Sequence, residues 1–270
     1  MSVNHYENFP VASVLLPARL RKPVELIYRF ARAADDFADE GEMPERERLA
    51  RLASFDDELR RIERSEPSRV ALFQELAPVI REHRLPLDLF HDLLSAFAQD
   101  VTKKRYADLI EVLDYCRRSA NPVGRLLLVL YGAASAQNFV WSDKICSALQ
   151  IINFLQDISI DYAMGRVYMP QDELARFRVS EAQIAARATD ATWREFMTFQ
   201  VDRARHMLWD GAPLGRVLKG RIGLEMRLII AGGDRILTKI LAADCDVFRR
   251  RPVLRSHDWV LMLLRALSAR

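Results

Sequence analysis

The stretch that decides the fold is Leu149–Asp161, L-Q-I-I-N-F-L-Q-D-I-S-I-D. Leu149, Ile151, Ile152, Phe154, Leu155, Ile158 and Ile160 point to nearly every side of a 3.6-residue helix, and a helix apolar almost all round belongs at the centre of a bundle. Four polar residues interrupt it. At about 100° per residue, Gln150, Asn153, Asp157 and Asp161 fall within roughly 80° of one another and form a stripe. A buried carboxylate is costly unless it is protonated, paired or bound to a metal. Asn-x₃-Asp-x₃-Asp stacks three hard oxygen donors on successive turns, a set that suits Mg²⁺. A polar seam paired with arginines from another helix has the same pattern. On these residues alone both readings stand.

Helical patterns continue on either side. Pro23 stands where a first-turn proline belongs and predicts a helix running to about Glu40. Pro44–Glu63, Ser68–His83, Pro86–Thr102, Asp108–Gly132 and Ser135–Ala163 follow as amphipathic segments. Ser180 with Gln183 has the spacing of a capping box. Asp190–Asp210, Gly220–Ala243 and Ser256–Ser268 complete the set. No alternating β-branched run and no Asn-Gly hairpin signal occurs. With no linker or repeat to mark a boundary, one all-α domain over residues 1–270 is the expectation.

Of the 270 residues, 40 are Lys or Arg and 37 are Asp or Glu, a net charge of +3 that calls for no nucleic-acid partner. Cys116, Cys146 and Cys245 are widely spaced with no CxxC pair, which excludes a zinc or disulfide framework and suits small core fillers in a reducing compartment. The N-terminal residues do not read as a signal peptide, and no apolar stretch approaches the roughly 20 residues of a spanning helix. A cytoplasmic protein is expected.

A second acidic patch, Asp35-Asp36-Phe37-Ala38-Asp39-Glu40, closes the helix that carries Pro23. Asp35 and Asp39 are one turn apart, and Tyr28 and Arg32 share their face one and two turns earlier. Alone this is an ordinary acidic surface, although acids at a helix C-terminus oppose the dipole and imply a compensating cation. Together the two patches describe facing acidic helices that hold Mg²⁺ and clamp a diphosphate as it leaves, with Arg32, Arg166 and Tyr168 adding donors. Such a site needs apolar walls. Phe9, Phe139 and Phe154 are candidates for that lining as well as for plain core.

Three segments carry a resemblance: Y-R-F-A-R-A-A-D-D-F-A-D (Tyr28–Asp39), Y-C-R-R-S-A-N-P-V-G (Tyr115–Gly124) and Q-I-I-N-F-L-Q-D-I-S-I-D-Y-A-M-G-R-V-Y-M-P (Gln150–Pro170). Together they resemble the squalene/phytoene synthase family of head-to-head isoprenoid enzymes, over roughly His5 to Arg251. The resemblance implies an all-α isoprenoid synthase bundle around a central hydrophobic cavity. It implies Asp35, Asp39, Asn153, Asp157 and Asp161 as Mg²⁺ ligands. It implies substrate contacts from His5, Phe9, Tyr28, Arg32, Gln150, Asn153, Arg166 and, by position, Arg250, with Tyr168 beside the leaving diphosphate. The chain departs from the family pattern at Tyr6 and Asn8, at Asn121-Pro122, and near Gly233, where a late-helix tyrosine is often found. These departures, and the segment E-N-F-P-V-A-S, resemble the hopanoid-pathway hydroxysqualene synthase subgroup. The activity so implied is Mg²⁺-dependent conversion of presqualene diphosphate to hydroxysqualene without NADPH, with hand-over to other squalene-pathway enzymes. Head-to-head condensation of two prenyl diphosphates is the enzymatic alternative. A helical assembly factor or scaffold is the non-enzymatic one.

The C-terminal stretch places Arg249, Arg250, Arg251 and Arg255 before W-V-L-M-L-L-R-A-L. It reads either as a last helix packed on the bundle or as a peripheral contact with the inner face of a membrane.

Overall fold

The computed structural model describes residues 16–39 and 43–268, with the side chain of Ser268 outside that description; His5 and Phe9 lie outside it too. The described chain is helical with no strand, apart from one isolated parallel bridge between Arg105 and Val167. In order the helices are α1 (Ala18–Asp39), α2 (Glu45–Glu63), α3 (Ala71–His83), α4 (Leu87–Thr102), α5 (Leu109–Ser119), α6 (Asn121–Leu130), α7 (Ala136–Ala163), α8 (Gln171–Arg176), α9 (Glu181–Ala185), α10 (Ala191–Gly211), α11 (Leu214–Val217), α12 (Gly220–Ala242) and α13 (Ser256–Ser268).

α7 holds the expected central place, packed most extensively on α10 and also against α5, α6 and α12. Ser135 caps its start, accepting from the amide of Asn138. Ile151, Ile152, Phe154, Leu155 and Ile158 are buried; Ile160, in the last turn, is 46% exposed and belongs to the rim and not the core. Its apolar surround forms one core with Trp193, Phe196 and Val201 of α10 and Ile236, Leu237 and Ile240 of α12. A second core lies among α1–α4 and α6, where Phe30 meets Phe55, Phe73 and Phe90 at ring-centroid distances of 5.9, 5.8 and 5.2 Å. Gly124 lets α6 approach α7, since a Cβ there would meet Ser142 Oγ at 2.3 Å and Cys146 Sγ at 2.6 Å. All three cysteines are free thiols, and burial pushes Cys116 up to about 12 and Cys146 up to about 11, as core positions should.

Three local expectations are corrected. α1 begins at Ala18, so Pro23 lies inside the helix and not in its first turn. Burying Leu16 and Leu20 at 1% and 0% exposure rewards the additional turn more than the lost proline hydrogen bond costs. The segment read as one helix over Asp108–Gly132 breaks at Ala120, because Pro122 has no N–H to continue the ladder and begins α6 instead. α8 was not anticipated; Pro170 leads into it. The capping box at Ser180 and Gln183 is present in both directions.

Phe30 is fully buried on the face of α1 turned away from its acidic residues. Phe30→Ala should therefore cost about 3–5 kcal/mol of stability, measured as a lower urea midpoint with retained far-UV helicity.

Candidate active site

The last turns of α1 and α7, the end of α4 and the segment after α7 build the site. On α1, Tyr28, Arg32, Asp35 and Asp39 fall within about 60° of one another, so one helical face presents all four. α7 ends at Ala163 and the chain turns at Gly165, whose φ of +77° lies in the left-handed region, and the amide of Arg166 returns to the Asp161 carbonyl at 2.8 Å. The chain then pairs with the segment after α4: the Val167 amide donates to the Lys104 carbonyl at 3.0 Å, and Arg105 Nη1 donates to the Gly165 carbonyl at 2.6 Å. Arg105 is itself fixed by Glu181, Nη2 to Oε2 at 2.7 Å. This backbone pairing carries Arg166 and Tyr168 to the acids of α1 and α4.

Arg166 is buried and donates through Nη2 to Asp39 Oδ1 at 2.6 Å. It is the bridge between the two acidic helices. Arg32 donates to Asp35 Oδ2 at 3.1 Å and pairs with Asp36 at 2.7 Å. Asp157 accepts from Arg251, including Nη2 to Oδ2 at 3.0 Å. Asp161 has no arginine within hydrogen-bond reach among the described residues. Burial, then the neighbouring charge of Asp157, raises its carboxyl to about 8; Asp39 and Asp100 also raise it, against Arg166. Burial and the charge of Asp39 raise Asp35 to about 7. The acids of α1, α4 and α7 therefore act on one another, and the two patches converge. Gln150 is half-buried and Asn153 exposed on the same stripe of α7.

In the free protein two of the expected diphosphate contacts are placed elsewhere. The Tyr168 hydroxyl was expected at the leaving diphosphate, yet it donates to Asp100 Oδ1 at 2.8 Å in the interior, and its ring stacks on Phe154 at 3.9 Å with planes 5° apart. Burial, then the charge of Asp100, raises its hydroxyl well above the ordinary value, so it remains a donor. Arg251, not Arg250, turns inward; Arg250 is exposed beside Lys239, Pro252 and Arg255.

The sequence reading missed Asp100. It is 4% exposed, accepts from Tyr115 at 2.5 Å and Tyr168 at 2.8 Å, and burial raises it to about 6. An acid on the apolar face of α4 was the available signal. Lys104 was also missed. Its Nζ donates to the carbonyls of Asp100 and Val101, both at 2.8 Å, and it shares a polar hollow of about 350 Å³ with Asp39, Arg48 and Arg166.

Beside this acidic end lies an apolar cavity of about 340 Å³. α1 gives it Val24, Ile27 and Ala31, and Tyr28, Arg32 and Asp35 stand at its polar edge; Phe97, Leu127 and Met226 form other parts of the wall. Neither Phe154 nor Phe139 lines it: Phe154 is core, and Phe139 packs under Arg125. Gly233 does not line it either, since a Cβ there would meet Leu149 Cδ2 at 2.9 Å and Leu208 Cδ2 at 3.0 Å. That position sets how closely α12 packs on α7 and α10. Two further polar residues, Tyr131 and Glu225, sit on the cavity wall.

The donor set is all oxygen and carries more negative charge than its arginines relieve, which fits a hard divalent cation chemically. Geometrically Asp39 and Asp157 face arginines here, and among the described residues no three His, Cys, Asp or Glu side chains are grouped as a metal site.

Three findings place the chain among known proteins. A family model described as squalene/phytoene synthase matches residues 3–258. The chain is 36% identical over 265 residues to a hydroxysqualene synthase of Rhodopseudomonas palustris, covering 97% of this chain and 88% of that protein. It is 31% identical over 268 residues to a 15-cis-phytoene synthase of Synechococcus elongatus, covering 93% and 85%. Among solved structures, squalene synthase HpnC from Alicyclobacillus acidocaldarius superimposes with a TM-score of 0.82 at 35% identity, over 89% of this chain and 90% of that one.

The raised carboxyls set a pH dependence. Asp35, Asp100 and Asp161 hold protons in the native state that the unfolded chain releases from about pH 4 upward, so stability falls as pH rises from about 5 to above 8. The melting temperature should drop across that range. Mg²⁺, which needs ionised ligands, should raise it more at about pH 8 than at about pH 6. Scanning calorimetry with and without the ion measures both; an equal shift at the two pH values would oppose a carboxylate site.

Proposed function

The chain belongs to the squalene/phytoene synthase family, whose members process prenyl diphosphates, and we propose that it converts presqualene diphosphate to hydroxysqualene. The carrying observation is the convergence of the acids of α1 and α7 around Arg166, beside an apolar cavity edged by Tyr28, Arg32 and Asp35. A ligand with a doubly charged head and long hydrocarbon arms matches that division. The names of the relatives support the assignment in kind: one is a 15-cis-phytoene synthase, and the more similar of the two is a hydroxysqualene synthase.

Asp35, Asp39, Asn153, Asp157 and Asp161 are the residues that would hold Mg²⁺, which supplies Lewis-acid neutralisation of the diphosphate when bound. Arg32 and Arg166 are the guanidinium groups that would donate to diphosphate oxygens, and Arg251, which holds Asp157 in the free protein, would neutralise that acid when no cation does. Breaking the carbon–oxygen bond sends its electron pair out with the diphosphate. The carbocation left behind would rearrange against the largely apolar wall given by Val24, Ile27, Ala31, Phe97, Leu127 and Met226. Water then adds and loses a proton, giving an alcohol and diphosphate. No hydride enters this balance, so NADPH has no part in it.

Glu225 and Tyr131 bear on the choice between water capture and condensation. They are neighbours, since burial and then the charge of Glu225 raise the Tyr131 hydroxyl above its ordinary value. A carboxylate on an apolar wall is placed to hold the quenching water and accept its proton. A scaffold whose acids serve only structure is the remaining reading, and the Asp157–Arg251 pair is the observation in its favour.

Purified protein given presqualene diphosphate and Mg²⁺ without NADPH should release diphosphate and yield hydroxysqualene by mass spectrometry. Turnover only with farnesyl diphosphate would replace the proposal by condensation. Asp161→Asn should lower turnover by about 10²–10³-fold while the melting temperature at pH 8 holds or rises, because the substitution removes a charge that burial disfavours; turnover left unchanged would remove Asp161 from the site. Glu225→Gln should divert product from the alcohol to hydrocarbons formed by proton loss while diphosphate release persists. An unchanged alcohol yield would remove Glu225 from the mechanism.

A further inference from the structure

α13 is seated the opposite way round from an ordinary surface helix. Its one acid, Asp258, is 0% exposed and turned into the bundle, where Arg235 Nε reaches it at 2.6 Å, the Arg255 amide at 2.7 Å, and Lys239 completes the clamp. Met262 and Ala266 are buried on the same side, and Arg227 Nε donates to the Ala266 carbonyl at 2.7 Å. The helix is thereby fixed in rotation, and what it turns outward is apolar. Val260 and Leu264 are 61% and 62% exposed, and Leu261, Leu263 and Leu267 are exposed with them. At about 100° per residue these five cover an arc of about 160°. A solvated helix carries its charges on that side.

The surroundings of this face are basic. From Phe248 to Ser268 the exposed arginines are Arg249, Arg250, Arg255 and Arg265, Arg251 being turned inward to Asp157, and the single acid of the stretch is the buried Asp258; Arg249 also pairs with Asp246 at 3.4 Å and Arg265 with Asp234 at 3.5 Å. Beside α13 a groove of about 260 Å³ brings Arg216, Arg227 and Arg265, with the one acid Asp234, together with Trp209, which is itself exposed. An apolar strip with arginines along its borders and an indole beside it matches the boundary between acyl chains and anionic headgroups. α13 is about 20 Å long, too short to cross a hydrocarbon core of about 30 Å, and no helix among the described residues is long and apolar enough to do so. The helix therefore lies along a surface. A second copy fits less well, because a two-fold contact through this face would set the arginine borders of both copies against each other.

We propose that the outer face of α13, Val260 to Leu267, docks this chain peripherally on an anionic lipid bilayer. The apolar residues enter the acyl boundary and the flanking arginines meet lipid phosphates. The inference does not depend on the reaction assigned above.

The full chain is tested by flotation with vesicles of phosphatidylcholine alone and of phosphatidylcholine mixed with phosphatidylglycerol. Wild type should float with the mixed vesicles and not with the neutral ones, and less so as salt rises. The Val260→Ser/Leu264→Ser/Leu267→Ser variant should lose at least about 100-fold in partitioning, with unchanged helicity and unchanged turnover of detergent-dispersed substrate. Arg249→Glu/Arg255→Glu provides a second arm that leaves the apolar face intact and should also lose flotation. Wild type remaining unbound to anionic vesicles, or both variants floating like wild type, would overturn the proposal. So would a dimer in sedimentation equilibrium that the triple-serine variant dissolves, since that outcome assigns the face to a second copy.

Discussion

Carboxylates drawn together away from water destabilise one another until cations answer them, and that constraint organises the molecule. Asp35, Asp39, Asp100, Asp157 and Asp161 come from three helices yet sense each other's charge. Arg32, Arg166 and Arg251 each answer one or two of them. Among the described residues Asp161 has no such partner, and its carboxyl is raised further than those of Asp35 and Asp100, to about 8. A pure stability element would not gather acids whose ionised forms burial opposes. Charge left unanswered in the free protein is the physical basis for binding something cationic and, through it, something anionic.

The second organising feature is the separation of polar and apolar functions along α1. One side of that helix supplies the phenylalanine-rich core through Phe30. The other supplies apolar wall from Val24, Ile27 and Ala31, and then polar edge from Tyr28, Arg32 and Asp35. A diphosphate and its hydrocarbon arms thus meet one continuous helix. Beneath the edge, the Tyr168–Phe154 stack and the two tyrosine hydroxyls on Asp100 hold the segment after α7 rigid, which fixes where Arg166 points. In the free protein Tyr168 supports the segment that carries Arg166.

α13 applies the same reasoning at the surface. Its buried Asp258 with three donors specifies rotation, and the apolar residues turned outward follow from that choice. Burying a charge to expose leucines is unfavourable in water and sensible only against a nonaqueous neighbour.

What the sequence by itself determined was everything carried by local period and local capping. Those were the helical class, the central burial of α7, the stripe Gln150-Asn153-Asp157-Asp161, the shared face of Tyr28, Arg32, Asp35 and Asp39, and the capping box at Ser180. These depend on residues a few positions apart, within reach of a 3.6-residue repeat. Tertiary structure decided which cation met which acid, because Arg166 and Asp39 are 127 positions apart and Arg251 and Asp157 are 94 apart. The choice of Arg251 over Arg250, the burial of Tyr168 against Asp100 and the identity of the cavity wall followed from the Arg105–Val167 backbone pairing and from how closely α6 and α12 approach α7. No periodicity encodes these, since they arise where distant segments exclude water together.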